Sequence, residues 1–557
     1  MSESKTTHLD SDIPLSRLDL AFSHFLAERT SLEKHAKNAF SDLCARLSNQ
    51  LSQGHSCMYI DETEQGLLQD SGLVSVSGKK TLPLVLENNR LYLQRYWFYE
   101  NRLVKQIKSL LPCSFSIKNI EPILDRYFIE LINETDWQRE AIKKALSQAF
   151  SIITGGPGTG KTTTIVKLLA ILQETSDQPL YIALAAPTGK AATRLQESIG
   201  LNKSHLPCSE AIKNQIPDSV STLHYLLGAQ VNSPFFKHNS EHPLVYDLVV
   251  VDEASMVDLA LMSKLLDALK PGARLILLGD KDQLSSVESG AILADLTASL
   301  PKHTYELQKS YRFQSEIKAL AEAINTQSVD EAWQLLETGQ RNIKRLDTGL
   351  INEIVAGYTR YLQCIRDHSE LNTIFKAFND FQVLCSNRQG KKGVLAVNDA
   401  LENRLLEQGL INRSGQWYSA RPVMIMQNNP GLQLYNGDVG LCLHDKESKK
   451  LMVFFQRADG SIKKISPGRM PVHETAFAMT IHKSQGSEFT ECLCVLADKM
   501  NPVLSKELLY TAVTRAKAKI TIACEYTVFC QAVQQKIARS SGLIAKLGML
   551  KLETEFP

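Results

Sequence analysis

The sequence predicts an α/β protein built on two parallel-sheet units, with a mainly helical region ahead of them and a small antiparallel insertion in the second. Three observations carry this reading. From Phe150 onward, short apolar runs alternate with helical stretches: FSIIT, LYIALAAP, LVYDLVVVDE and RLILLGD, then FQVLCS, CLCVLAD and KITIACE. Near-continuous Val, Ile and Leu in runs this short indicate parallel strands covered on both faces. The two sets are separated by a helical stretch, roughly Ser315 to Phe378, without sheet signals. Between Ala420 and Lys464, the segments RPVMIMQN, DVGLCLHD and KLMVFFQ and the turn Asp459-Gly460 read as hairpin-linked strands, predicting a small β-barrel near 420–465.

A chain of 557 residues suits three or four domains at about 100–200 residues each. The expected boundaries are 1–131 for the helical region, 132–310 for the first parallel-sheet unit and 311–557 for the second. In the first region, LSRLDLAFSHFLAERTSLEKHAKNAFSDLCARL places apolar residues at helical spacing. The segment RLYLQRYWFYENRLVKQIKSLL is rich in aromatic and basic residues, a composition that suits stacking on bases and contact with phosphates. The same residues fit a helix in which Leu91, Leu93, Trp97, Phe98, Leu103 and Ile107 form a buried stripe, and that is the expectation here.

Charge and cysteine usage narrow the classes further. With 62 Lys and Arg against 60 Asp and Glu, any nucleic-acid contact must come from a local groove rather than a generally basic surface. The start MSESKTTHLDSD lacks a basic n-region followed by an apolar h-region, and no apolar run reaches the ~18 residues that would span a bilayer. The 11 cysteines are scattered without a C-x-x-C pair, which fits a reduced, cytoplasmic setting. Cys492 and Cys494, two apart in ECLCVLAD, are expected on one face of a strand as packing residues.

The chemistry begins at Gly155-Gly156-Pro157-Gly158-Thr159-Gly160-Lys161-Thr162, a G-x-x-x-x-G-K-T run between the strand FSIIT and the helical TTIVKLLAILQE. Glycines let backbone N–H groups curl around a β-phosphate, Lys161 neutralises β and γ oxygens, and the Thr162 hydroxyl suits Mg²⁺. In LVYDLVVVDEAS, Asp252 at a strand end suits the Mg²⁺ and Glu253 suits polarising the attacking water. Gln138 offers the paired donor and acceptor that an adenine edge requires. Gln283 ends the strand RLILLGD on the edge where ligands bind, suited to sensing a γ-phosphate. Arg312 in QKSYRF and Arg515 in YTAVTRAK are the arginines expected to reach that phosphate from the second unit.

Taken in order, GGPGTGKTTT, APTGKAATRL, STLHYLLG, VVDEASMVD, GDKDQL, QKSYRF, AMTIHKSQGSEF and YTAVTRAK resemble the complete motif set of superfamily 1 DNA helicases. More narrowly, they resemble the RecD-type subunits of the RecBCD helicase-nucleases (exodeoxyribonuclease V). The resemblance implies two RecA-like P-loop NTPase domains that clamp ATP and Mg²⁺ between them and step 5′ to 3′ along single-stranded DNA, unwinding duplex DNA. It implies a heterotrimer with RecB-like and RecC-like subunits that processes double-strand breaks for recombination and degrades linear duplex, with nuclease activity in a partner.

By motif position, Lys161, Asp252, Glu253, Gln283, Arg312 and Arg515 are implied to be catalytic, with Thr162 and Asp252 on the metal. Gln138, Gly155, Gly156, Pro157, Gly158, Thr159, Gly160, Lys161, Thr162, Thr163 and Glu488 are implied to bind ATP. DNA contacts fall on Pro187, Thr188, Gly189, Lys190, Thr222, His224, Thr480, His482 and Lys483, and Gln485 with Glu488 links nucleotide to DNA. The first 131 residues are assigned to partner docking by position alone. The insertion from Asn202 to His242 lies where relatives carry a strand-splitting element, and here reads either as a short version of it or as a loop. The alternative function is a stand-alone DNA or RNA remodelling helicase of the same superfamily. A non-enzymatic scaffold is disfavoured by the intact hydrolytic carboxylate and arginines.

Overall fold

The structure, a computed structural model, describes residues 14–115, 117, 120–128, 135–230, 232–286, 288–309, 315–457 and 460–548. Arg312 and Asp459 of the expected turn lie outside the described residues.

The N-terminal region opens with the helix Arg17–Ala27, started by a capping box in which Ser16 and Asp19 exchange side-chain-to-backbone bonds. The helix Lys34–Ser52 packs against it. The region is mainly helical, as expected, and four short strands that sequence did not signal add a sheet to it: β1 (Met58–Tyr59), β2 (Val74–Val76), β3 (Leu84–Glu87) and β4 (Arg90–Leu93), in the order β1-β4-β3-β2. The β3–β4 hairpin turns on Asn88 and Asn89, with φ of 49° and 57°. A two-residue turn with both φ positive matches the twist of paired strands, and asparagine tolerates it. Leu91 and Leu93 therefore belong to β4 rather than to a helical stripe. The helix that follows, Gln94–Leu110, buries Leu103, Val104 and Ile107 but leaves Phe98 44% exposed.

The first parallel sheet contains β5 (Phe150–Thr154), β6 (Ile182–Ala186), β7 (Ser221–Thr222), β8 (Leu248–Val251), β9 (Arg274–Gly279) and β10 (Thr304–Glu306) in the order β10-β5-β9-β8-β6-β7. Alternate residues feed two cores. Ile153, Leu184, Val250 and Leu278 face one side, and Ile152, Ala185, Val251 and Leu277 the other. Such two-sided burial is what makes the strand runs uniformly apolar. The edge strands β7 and β10 carry Ser, Thr and Glu, so composition does not announce them.

The second parallel sheet begins with β11 (Ile343–Arg345), a short strand inside the stretch expected to lack sheet, and continues with β12 (Phe381–Cys385). An inserted run follows: β13 (Arg421–Ile425), β14 (Val439–His444), β15 (Leu451–Gln456), β16 (Ile462–Ile465) and β17 (His473–Thr475). The chain then returns through β18 (Ala478–Thr480), β19 (Phe489–Val495) and β20 (Ala516–Ala523), giving the parallel order β11-β20-β19-β12-β18. Cys492 and Cys494 share one core with Ile520 and Ile522, and burial pushes both thiols up, as packing residues require. The inserted strands pair antiparallel in the order β16-β15-β14-β13-β17. Where a barrel was expected, no ladder joins β16 to β17 among the described residues.

Candidate nucleotide site and the adjoining strand ends

The phosphate-loop run leaves the C-terminal end of β5 and enters the helix Lys161–Thr175 at Gly160. Gly158 and Gly160 have φ of 78° and 83°, a conformation that costs other residues about 1 kcal/mol or more. A Cβ on Gly160 would also lie 2.3 Å from Gln138 Nε2. Gln138 Nε2 donates to the Thr159 carbonyl at 3.2 Å, so the expected adenine reader also braces the loop. Lys161 Nζ donates to the Gly155 and Gly156 carbonyls at 2.7 and 3.1 Å, which holds its charge at the loop. The Thr163 hydroxyl donates to Asn202 Oδ1 at 3.0 Å, on the adjacent helix Gly189–Lys203.

Two acids follow neighbouring strand ends. Asp252 follows β8, and burial, reinforced by the charge of Glu253, pushes its carboxyl up to about 6 while Lys161 pulls it down. Glu253 sits at φ 50°, ψ 40°, a left-handed conformation directly after the strand end. Backbone strain of this kind at a non-glycine residue collects at functional positions. Thr162 and Asp252 offer the hydroxyl and carboxylate oxygens that a hard Mg²⁺ accepts, and a divalent cation would offset the burial that holds Asp252 up. The donor set fits the ion.

The second acid, Asp280 after β9, was not singled out by sequence. Its Oδ2 accepts from Gln283 Nε2 at 3.0 Å and from Tyr510 Oη at 3.1 Å. Burial lifts this carboxyl to about 6 as well, against the pull of Lys161. Tyr510 lies on the helix Lys506–Val513 beside the second sheet, and its hydroxyl would stand 3.0 Å from a Cβ on Gly156. One residue on, Leu284 N donates to Thr511 Oγ1 at 3.0 Å and the Leu284 carbonyl accepts from Gln485 Nε2 at 3.0 Å. Residues of both sheets thus converge on the segment 280–284.

Arg515 is buried, donating to the carbonyls of Thr511 at 3.1 Å and Ser487 at 3.0 Å. Burial lowers its pKa, and the nearby carboxylate of Glu253 is the strongest opposing influence. Glu488 pairs with Arg194 and, at 3.6 Å, with Lys517. Arg194 Nη1 also donates to the Gly486 carbonyl at 3.1 Å, making a second bridge between the sheets that sequence reasoning missed. Its position four residues after Lys190, one helical turn along the same face, is the signal that was present.

The residues expected to touch DNA occupy strand ends. Pro187, Thr188, Gly189 and Lys190 follow β6, Thr222 ends β7 and Thr480 ends β18. Thr188, Thr222 and Thr480 each accept a bond from the backbone N–H three residues on, at 3.3, 3.2 and 3.4 Å, capping the turn that follows. A hydroxyl that accepts in this way keeps its own hydrogen to donate. Gly189 lies against Tyr435 of the inserted module, and Lys483 Nζ donates to Asn436 Oδ1 at 2.7 Å. Burial drops the Lys190 ammonium to about 8, while Asp438 opposes the fall. His224 and His482 are both held below the usual histidine range, chiefly by burial, and His224 packs on Phe236 with ring centroids 5.8 Å apart. Phe236 belongs to the 202–242 insertion, which holds the helices Glu210–Gln215 and Leu223–Leu227 with β7 between them, and it forms an isolated bridge with Ala229.

Residues 138–289 match the AAA domain family and residues 475–523 the UvrD-like helicase C-terminal domain. Residues 13–67 match the N-terminal domain of the RecBCD enzyme subunit RecD, in the region that no sequence motif had placed. The RecBCD enzyme subunit RecD of Haemophilus influenzae is 34% identical over 95% of this chain and 97% of that relative. The protein of the same name from Mycolicibacterium smegmatis is 37% identical over 83% of each. The ATP-dependent RecD2 DNA helicase of Deinococcus radiodurans is 31% identical over 82% of this chain but only 58% of its own length. With near-complete mutual coverage, a shared N-terminal domain and the phosphate loop set against a second parallel sheet, the chain belongs to the RecD family of RecBCD enzyme subunits.

Proposed function

We propose that this protein is an ATP-dependent, 5′-to-3′ DNA helicase and single-stranded-DNA-dependent ATPase. It acts as a subunit of a RecBCD-type complex with RecB-like and RecC-like partners, which processes double-strand breaks and holds the nuclease elsewhere. The observation that carries the reading is the segment 280–284, where Asp280 and Leu284 of the first unit bond Tyr510, Thr511 and Gln485 of the second, and Gln283 donates to the same Asp280 carboxylate, beside the phosphate loop. A motor needs this link: the group that reports the γ-phosphate must also hold the two halves together, so that hydrolysis changes their separation. Coverage supports the subunit type over a stand-alone helicase, since the match spans nearly all of the RecD relative and little more than half of the RecD2 relative.

In this reading Lys161 and the loop N–H groups of residues 155, 156 and 158–160 bind the β- and γ-phosphates, and Gln138 holds the base while bracing Thr159. Glu253 orients and deprotonates the attacking water. Arg515 offsets charge that develops on the phosphoryl oxygens, with Arg312 assigned the same task by motif. Thr162 and Asp252 would hold Mg²⁺, which when bound draws charge from the phosphate oxygens. Gln283 passes the state of the γ-phosphate to Tyr510 through Asp280. The capping threonines 188, 222 and 480, with Lys190, Lys483 and the two histidines, grip phosphates without reading bases. The units are 1–131 for docking, 132–310 and 311–557 for the motor, with the inserted strands curled as a small barrel around Val423, Cys442, Val453, Phe455 and Ile465. Glu253→Gln tests the hydrolytic assignment: ATP binding stays within two-fold while DNA-stimulated turnover collapses. Weakened ATP binding instead would move Glu253 to a metal-holding role.

A further inference from the structure

After its last strand and the helix Tyr526–Gln534, the chain leaves the second sheet and runs back across the first unit to the N-terminal region. Arg539 marks the crossing. Its Nη2 donates to the Ser286 carbonyl at 2.6 Å and its Nη1 to the Glu288 and Gly290 carbonyls at 3.0 and 2.9 Å. Those carbonyls belong to the loop that continues directly from Gln283 and Leu284. The same loop is tied to the acid motif, because Ser286 N donates to the Ser255 carbonyl at 3.1 Å, two residues after Glu253.

The N-terminal region meets the guanidinium from the other side. Gly290 N donates to the Gly54 carbonyl at 2.9 Å, and a Cβ on Gly54 would lie 2.8 Å from Arg539 Cζ. Next to it, Ser56 N donates to the Ser540 carbonyl at 2.9 Å and Ser540 N donates to His55 Nδ1 at 2.9 Å. Further along, Gly542 N donates to Glu100 Oε1 at 3.1 Å, and Lys546 pairs with Glu87 and Glu100 at 3.0 and 3.2 Å.

We propose that Arg539 is a positioning residue that fixes residues 284–286 and 288–290 against both the acid motif and the N-terminal region, so that the placement of the Gly54 turn sets the rate of ATP hydrolysis through this guanidinium. The inference rests on the helicase reading above. A tail whose only task was to anchor the chain would need the backbone bonds at Ser540 and Gly542. It would not need three charged donor bonds to carbonyls of a loop that starts at the γ-phosphate sensor. Bonds from a charged donor are among the stronger ones, and the planar fork of arginine satisfies several carbonyls at once in a way lysine cannot.

The test uses the full-length chain with its partner subunits and follows DNA-stimulated ATP hydrolysis in Arg539→Ala, Gly54→Ala, the double variant and Lys161→Gln. Gly54→Ala displaces the guanidinium from the N-terminal side and, at φ 90°, strains the turn that carries it. Arg539→Ala is expected to lower kcat at least about ten-fold, since a misplacement of about 1 Å costs up to a hundred-fold, with KM for ATP essentially unchanged at temperatures well below a melting transition that the loss of three charged bonds lowers. Gly54→Ala is expected to lower kcat in the same way, and the double variant to be no slower than Arg539→Ala alone. A kcat within two-fold of wild type in Arg539→Ala, a loss confined to KM, or fully multiplicative losses in the double variant would overturn the proposal. Lys161→Gln separates the two levels: its retention of turnover would remove the underlying ATPase reading, whereas an inactive Lys161→Gln beside a wild-type Arg539→Ala removes only the positioning role.

Discussion

Tyr510 donates its hydroxyl to Asp280 at 3.1 Å, joining a helix of the second sheet to a strand end of the first. The same carboxylate oxygen accepts from Gln283, so one buried acid connects the expected phosphate sensor to the opposite half of the protein. Bonds to a buried carboxyl contribute about 1.5–3 kcal/mol. Tyr510→Phe is therefore expected to weaken the closed arrangement, lowering DNA-stimulated kcat roughly ten- to 150-fold with ATP affinity little altered. Steady-state kinetics with a fluorescent-nucleotide titration checks both halves of that statement.

Gln138 touches the loop through Thr159, and in the proposed function its amide has the further task of holding the base. Gln138→Ala is expected to raise KM for ATP more than five-fold and KM for GTP by much less, because the loss of a paired donor and acceptor falls on the base that used it. Equal increases for both nucleotides would confine Gln138 to bracing the loop.

The Arg194–Glu488 bridge, supported by the Gly486 carbonyl, connects the helix after the first DNA motif to the last. Removing Arg194 takes from the largely buried Glu488 carboxylate its ion pair across the two sheets. Arg194→Ala is expected to raise the single-stranded-DNA concentration for half-maximal ATPase stimulation about ten-fold or more, as losing an ion pair that joins the two halves at a largely buried carboxylate disfavours the engaged state. An unchanged DNA dependence would contradict it.

Burial holds the Asp280 carboxyl at about 6, above its ordinary value of 3.8. The folded protein therefore binds this proton more tightly than the unfolded chain does. Its contribution to stability is fully present below pH 3.8 and is lost as pH rises through about 6. Relative to Asp280→Asn, the wild type is expected to lose stability between about pH 4 and 6.5 and to run parallel above 7. Denaturant unfolding of the two proteins across that range measures the difference.

Much of this architecture was legible because buried parallel strands have one texture. FSIIT, LVVV and RLILLG are apolar on both faces, and each became a strand of the first sheet. The strands that escaped notice have a physical excuse: β7 and β10 are edges carrying Ser, Thr and Glu, and β11 is three residues long. The β3–β4 hairpin was hidden by an Asn88-Asn89 turn in place of the more familiar Asn-Gly, which let Leu91 and Leu93 pass for helical positions. In the site, Lys161, Asp252, Glu253 and Gln283 were legible since each has a motif and a strand end. Asp280 and Tyr510 were not, because their meaning lies in a bond between positions 230 residues apart. The contacts of Arg539 are of the same kind, made by folding rather than by pattern.

The central claim, an ATP-driven motor with inherited polarity, is tested most directly by strand separation on duplexes bearing a 5′ or a 3′ single-stranded tail. The account predicts ATP-dependent unwinding of the 5′-tailed duplex and little of the 3′-tailed one. Unwinding confined to the 3′-tailed substrate, or strand separation that proceeds without ATP, would contradict it.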